Sequence, residues 1–257
     1  VLIDSTRITD RDRDHWDALE RYDRMLAADP ALDRKAESAV AEVRAFLDAG
    51  EAYVSVSWGK DSVVVAHLAA LAELTVRVVW VRSVLFETPE CDAVRDAFLD
   101  AHPQVRYEEI AVEMRNPKRG EPGYDTRHAD PHADHQDVLR ETLTGRWISG
   151  LRGEESRMRR MSIAHRGLST KNTCRPIGRW DATHVFAYLW REKLPVHPVY
   201  AMTAGGHYDR RWLRVHPLGS APPARSAVHG RDMDSWEDAY YGDVLAAARQ
   251  ARAHLWR

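Results

Sequence analysis

An α/β fold built on a parallel sheet is what the sequence predicts, and three stretches predict it. Tyr53 to Ser57 is a short apolar run that reads as a buried strand, Val63 to Leu74 is an almost unbroken apolar stretch that reads as a buried helix, and Val76 to Val81 reads as a second strand. A strand-helix-strand unit with so apolar a first strand pairs its strands in parallel through a right-handed crossover, and ligands of such sheets collect at the carboxyl ends of the strands.

Two helices precede this unit. The first is expected over residues 10 to 28, with Trp16, Leu19, Met25 and Leu26 on one side, and Asp29-Pro30 ends it. The second is expected over 32 to 49, where Ala36, Ala39, Val40, Val43, Phe46 and Leu47 recur at helical spacing and Gly50 stands at the C-terminal cap position. After the second strand, Thr88 can cap a helix opened by Pro89, with Val94, Ala97, Phe98 and Ala101 as its buried stripe. A third strand is read at Val105 to Val112 and a fourth at Arg146 to Leu151; the last helix runs from a capping box at Ser235 and Asp238 toward Ala253, with a kink at Gly242.

The chain has 257 residues, enough for one large α/β domain with an appendage. With no apolar stretch of eighteen residues and no signal-peptide order at its N-terminus, a cytoplasmic protein without a membrane partner is expected. Two cysteines, Cys91 and Cys174, are too few for a disulfide framework or a four-cysteine cluster. The formal charge of −2 argues against a protein coated for nucleic-acid binding, but Arg152 to Arg179 holds eight Lys/Arg against two Glu, a strip suited to a polyanion or to solvent. The Gly, Pro, His and Asp-rich region from Asn116 to about Asp134 reads as a long loop. In it His128, His132 and His135 with Asp125, Asp130 and Asp134 are metal-ligand candidates, against a solvated loop.

The chemistry centres on Ser57-Trp58-Gly59-Lys60-Asp61-Ser62, between the first strand and its helix. A tight strand-to-helix turn presents backbone N–H groups and the positive end of a helix dipole, and Gly59 lets an anion approach the backbone. It is not a Walker loop, because Val54 stands at the first glycine position and Asp61 follows the lysine. Ser57 and Ser62 hydroxyls can donate to phosphate oxygens and Lys60 can neutralise them, while Asp61 either holds a Mg²⁺ or caps the helix.

Three further segments stand with it. Gly150-Leu151-Arg152-Gly153-Glu154-Glu155-Ser156-Arg157 follows the fourth strand, and Arg152 and Arg157 carry forked donors suited to phosphate or sulfate. Cys174-Arg175-Pro176-Ile177-Gly178-Arg179-Trp180-Asp181 leads into a helix at His184 to Leu189 that Asp181 caps, with Val185, Phe186, Leu189 and Trp190 buried. Leu194-Pro195-Val196-His197-Pro198-Val199-Tyr200 closes the run. Trp180, Phe186 and Tyr200 read as packing residues. Beyond them, Arg210, Arg211 and Arg214 either clamp a second anion or lie solvated.

These motifs together resemble the adenine nucleotide alpha-hydrolase (PP-loop) superfamily in its phosphoadenosine phosphosulfate reductase-like branch, over about Tyr53 to Tyr200. The resemblance implies a three-layer, doubly wound, mainly parallel five-stranded sheet. It would occupy residues 51–200, between a helical N-terminal extension (1–50) and an irregular and helical C-terminal extension (201–257). It implies ATP or a related adenine nucleotide with Mg²⁺, bound by Ser57, Trp58, Gly59, Lys60, Asp61, Ser62, Gly150 and Arg152, with adenosine contacts at Arg82 or Ser83 and the metal at Asp61. Trp58 stands where a glycine is common and Arg82 where an acidic residue is.

The leading expectation is an ATP pyrophosphatase that cleaves the alpha-beta bond and adenylates an unidentified small molecule or nucleic acid, with Lys60, Asp61, Arg152 and Arg157 in the catalytic constellation; a homodimer is left open. No cysteine follows Cys174, against the tail-cysteine mechanism of sulfonucleotide reductases. The alternatives are a reductase or sulfur-transfer enzyme using Cys174, whose thiol pKa neighbouring Lys171 and Arg175 would lower, and a nucleotide-sensing or nucleic-acid-associated binding module.

Overall fold

The computed structural model describes residues 1–113, 115–125, 137–138, 141–143, 145–219 and 233–256. The histidine-bearing part of the long loop and residues 220–232 lie outside them. Among the described residues no group of three or more His, Cys, Asp or Glu could hold a metal ion, and no helix is long and apolar enough to cross a membrane.

Five strands form one sheet: β1 (Ala52–Val56), β2 (Arg77–Ser83), β3 (Arg106–Val112), β4 (Arg146–Ile148) and β5 (Thr173–Cys174), in the order β3-β2-β1-β4-β5. β1 is parallel to both β2 and β4, with Val54 opposite Val78 and Ile148, and β4 is parallel to β5. The chain thus builds outward from β1 to β3, then returns to β1's other side for β4. That reversal is a topological switch point, where the carboxyl ends of neighbouring strands open a crevice.

By contact the chain divides into two units. One comprises Val1–Trp80, Glu90–Glu109 and Gly145–Arg214; the other comprises Val81–Pro89, Ile110–Thr144 and Val215–Arg257. In the first unit, α1 (Asp10–Ala27) and α2 (Pro30–Asp48) come before β1, and α3 (Lys60–Ala72) connects β1 to β2. α3 is buried from Ser62 through Ala70 without a break, which is why its sequence shows no polar face. α4 (Cys91–Ala101) and α6 (Ala182–Arg191) bury amphipathic stripes, and α5 (Arg157–Arg166) buries Ile163 alone.

Several local expectations shift. α1 turns Met25 outward, 62% exposed, and buries Asp12 and Asp23 beside Trp16. Each carboxylate is satisfied: Asp12 Oδ1 accepts from the N–H groups of Thr203 (3.0 Å) and Gly205 (3.1 Å), and Asp23 Oδ1 from Arg210 Nη2 at 2.5 Å. Arg210 is therefore an internal counterion lying over the Trp16 and Phe186 rings, not an anion clamp. Pro30 opens α2 under an Asp29 cap, where proline's missing N–H costs nothing. Glu90, not Thr88, stands at the start of α4, and Trp190 is 38% exposed rather than buried.

In the second unit, Glu237 is fully buried and accepts from Arg119 Nη2 (3.0 Å), His216 Nε2 (3.1 Å) and the Gly219 N–H (3.2 Å). Burial raises its pKa, and the attraction of His216 and Arg119 outweighs that and holds it below the usual carboxylate range. The last helix, α7 (Met233–Arg252), begins before Ser235, so the expected capping box falls inside it, and its kink sits at Tyr241.

Burial also sets an acid limit. His197 is fully buried, its Nδ1 accepts from the Val199 N–H at 3.1 Å, and desolvation pushes its pKa down to about 3. The folded state keeps this ring neutral while the unfolded chain takes up a proton below about pH 6.5, so stability falls as pH drops through 6.5 and goes on falling toward 3. Between pH 7 and pH 5 the loss from this residue is about 2 kcal/mol. His197→Asn, which keeps an acceptor for Val199, is expected to flatten the acid limb of a urea-denaturation series by that amount. An unchanged limb would show that His197 does not set it.

Candidate functional site

β1 ends at Val56 and α3 begins at Lys60, so only Ser57, Trp58 and Gly59 form the turn; Lys60, Asp61 and Ser62 are the first turn of the helix. Trp58 has φ 57°, the left-handed region that glycine fills without strain. Its indole points into the core against Trp80, Phe98 and Tyr107, with ring centroids 5.6 to 6.3 Å away, and leaves the turn unblocked. Among the described residues, Nε1 is buried with no hydrogen-bond partner.

The hydroxyl of Ser62 is spent on the turn itself. It donates to the Gly59 carbonyl at 3.0 Å and accepts the Ser57 N–H at 3.2 Å, so it shapes the loop instead of offering its proton to a phosphate. The Lys60 N–H donates to Tyr200 Oη at 3.0 Å. The N–H groups of Asp61 and Ser62 have no intrahelical acceptor by helix geometry, and with the helix dipole they form an anion-attracting end at the carboxyl edge of β1. Ser57 is exposed beside them.

Beneath this end lies a buried charge cluster. Lys60 Nζ meets Asp61 Oδ2 at 3.0 Å and sits 4.9 Å from the Tyr200 ring centroid; Arg152 Nε donates to Asp61 Oδ1 at 2.7 Å. Arg152 Nη1 also donates to Glu154 Oε2, and the same oxygen accepts the Ala182 N–H at 2.8 Å. Burial lowers the Lys60 pKa, with Asp61 pulling the other way; Asp61, raised by burial, is brought below its usual value by Lys60 and Arg152. Burial and then the Asp61 charge raise the Tyr200 phenol, which stays protonated.

Gly150 makes the junction possible by close approach. A Cβ there would stand 2.9 Å from the Asp61 carbonyl carbon and 3.0 Å from its oxygen, so the end of β4 can touch the start of α3 only without a side chain. Gly150, Arg152, Lys60, Asp61 and Ser62 are thus brought together at the switch point between β1 and β4.

Arg157, at the start of α5, is exposed. Arg82 and Ser83 belong to the second unit, where the Ser83 N–H donates to Glu87 Oε1 at 3.0 Å and Ser83 Oγ accepts from the Phe86 N–H at 3.3 Å. Cys174 is fully buried in β5, and desolvation pushes its thiol up to about 11, which corrects the expectation that neighbouring cations lower it. Sequence reasoning missed the Tyr200 hydroxyl, read as packing; Glu154, from the same segment as Arg152, bridges that arginine to the start of α6.

The family model described as phosphoadenosine phosphosulfate reductase domain matches residues 51–210. Among solved structures, the U34-tRNA thiolase NcsA from Methanococcus maripaludis with its 4Fe-4S cluster is similar at 12% identity and a TM-score of 0.49, over 87% of this chain and 80% of that one. No curated protein matches the chain.

Proposed function

Because this chain belongs to the phosphoadenosine phosphosulfate reductase domain family, we propose that it binds an adenine nucleotide at the turn after β1 and, given ATP, transfers AMP to an oxygen of a second substrate. The observation that carries this reading is the site's position: a helix N-terminus, Lys60 and a buried Arg152 converge at the one place where strand order reverses. The outer phosphates lie on the first turn of α3, with the exposed Ser57 hydroxyl beside them and Lys60 neutralising them.

In the reaction the acceptor oxygen bonds to the alpha phosphorus while the bond from that phosphorus to the alpha-beta bridging oxygen breaks. The electron pair leaves with pyrophosphate, and the acceptor's proton passes to solvent. The chain supplies charge neutralisation and positioning, with no protein nucleophile. Arg152 acts through Asp61 as a positioning residue, and exposed Arg157 is left to the acceptor side.

Both Asp61 oxygens already face a cation, Lys60 or Arg152. The chain's own donors there do not fit a resident Mg²⁺, so the ion enters as part of the MgATP substrate, held by its phosphates.

Incubation of ATP and Mg²⁺ with hydroxyl and carboxylate acceptors is expected to give AMP and pyrophosphate. Lys60→Ala should slow this by about 100-fold or more, and Cys174→Ser should leave it unchanged. Release of ADP and orthophosphate would overturn the alpha-beta assignment, and loss of turnover in Cys174→Ser would favour the sulfur-transfer reading.

A further inference from the structure

We infer that the outward face of α5 is a docking surface for single-stranded nucleic acid; that the docked strand carries the acceptor of the adenylyl transfer rests on the function proposed above. α5 reads Arg-Met-Arg-Arg-Met-Ser-Ile-Ala-His-Arg, with no acidic residue in a chain whose net charge is −2. Among the described residues, Arg159 alone of its arginines is ion-paired, to Glu155 of the preceding turn. Arg157, Arg160 and Arg166 are exposed and, among the described residues, make no ion pair.

The helix is packed against the segment that follows β5. Ile163 packs against Gly178, where a Cβ would come within 3.1 Å of it, and Gly153 faces the Gly178 carbonyl just as closely, at 3.2 Å. Ser162 Oγ accepts from Arg175 Nη1 at 3.3 Å. Arg179, also exposed and unpaired among the described residues, follows Gly178 directly in the chain. Arg157 and Arg166 stand about 14 Å apart along α5 and half a turn apart around it, so a strand that meets both crosses the helix obliquely, over more length than a single small anion covers.

Met158 and Met161 are interleaved with these cations, 74% and 53% exposed. Polarizable apolar side chains among arginines suit unstacked bases beside phosphates. An anionic membrane is the lesser fit, because a surface-seeking helix needs a broad apolar face and here Ile163, the remaining large apolar residue, is turned into the core. α5 begins right after the turn that holds Arg152 and Glu154, so a strand lying on it leads to the nucleotide site.

The test is fluorescence anisotropy with labelled oligouridylate and oligothymidylate of about twenty nucleotides, in parallel with a duplex, phosphatidylserine vesicles and an acidic peptide. Four phosphate contacts predict that log affinity falls with log salt at a slope of about −3, and Arg160→Glu/Arg166→Glu should weaken single-strand binding by about tenfold or more. ATP-analogue binding by that variant should be unchanged, because neither arginine belongs to the nucleotide site. Equal affinity in the variant, a salt-independent signal, or binding only to the duplex, vesicles or peptide would overturn the proposal. The two readings fail separately: AMP formation on a small acceptor without strand binding removes this inference alone, and strand binding without pyrophosphate release from any acceptor removes only the adenylyl transfer.

Discussion

Arg152→Ala is expected to lower stability by about 3 kcal/mol and to reduce nucleotide turnover below detection. The guanidinium is 1% exposed and joins Asp61 to Glu154, so its removal leaves one oxygen of Asp61, a residue only 17% exposed, without its cation and Lys60 alone on the other. Breaking such a pair from one side costs about 3–5 kcal/mol when both groups are fully buried; the partial exposure of Asp61 and Glu154 places this case at the lower end. In a domain of this size that is a fall of about 6–12 °C in melting temperature. Turnover suffers more, because Asp61, released from Arg152, no longer fixes Lys60 Nζ beneath the first turn of α3. Arg152→Lys keeps the charge but not the fork, and should fall between the two. Thermal melting and an AMP-release assay check both parts, and an Arg152→Ala protein that melts and turns over like the parent would remove this residue from the site.

Trp58→Gly is the second large effect, and its sign tests whether the turn is built by strain or by packing. Glycine relieves the left-handed backbone at Trp58, worth about 1–2 kcal/mol, and removes an indole whose Nε1 is unsatisfied. Against this, truncating a buried tryptophan costs about 3–5 kcal/mol, and this indole fills the space among Trp80, Phe98 and Tyr107. The net expectation is a loss of about 2–3 kcal/mol, with weaker binding of an ATP analogue because the turn loses its anchor. Trp58→Phe, which keeps a ring in the same space, should recover most of both. A Trp58→Gly protein as stable as the parent in urea would mean that the aromatic contacts contribute nothing beyond relieving a strain they themselves impose.

The β1-turn-α3-β2 unit was legible because α3 is buried from Ser62 through Ala70 and the two strands over most of their length, and a continuous apolar run bounded by polar turns fits little besides such a covered element. α6 was legible too: Asp181 caps it as its side chain requires, accepting the His184 N–H at 3.0 Å. α5 was not, because a helix that buries one side chain leaves no periodicity to detect, and β5 is two residues long. The inner side of α1 misled because Asp12 and Asp23 look like surface residues until Thr203, Gly205 and Arg210, nearly two hundred positions away, supply their partners. At the site, residue types announced the turn and the Arg152 segment. That Ser62 would serve the turn and Asp61 two cations depends on distances no spacing encodes.

The reach of Tyr200 bears on the order of assembly. Lys60, to which the proposed function gives the phosphates, has its N–H held by a hydroxyl 140 positions further along the chain, and the neighbouring aspartate is held by an arginine 91 positions along. Bringing such distant segments together costs loop entropy before any contact repays it. A ribosome-bound chain that has not yet exposed residue 200 therefore has its first strand and helix but an unfinished turn, and the nucleotide competence proposed above is expected late in synthesis, after most of the sheet is already in place.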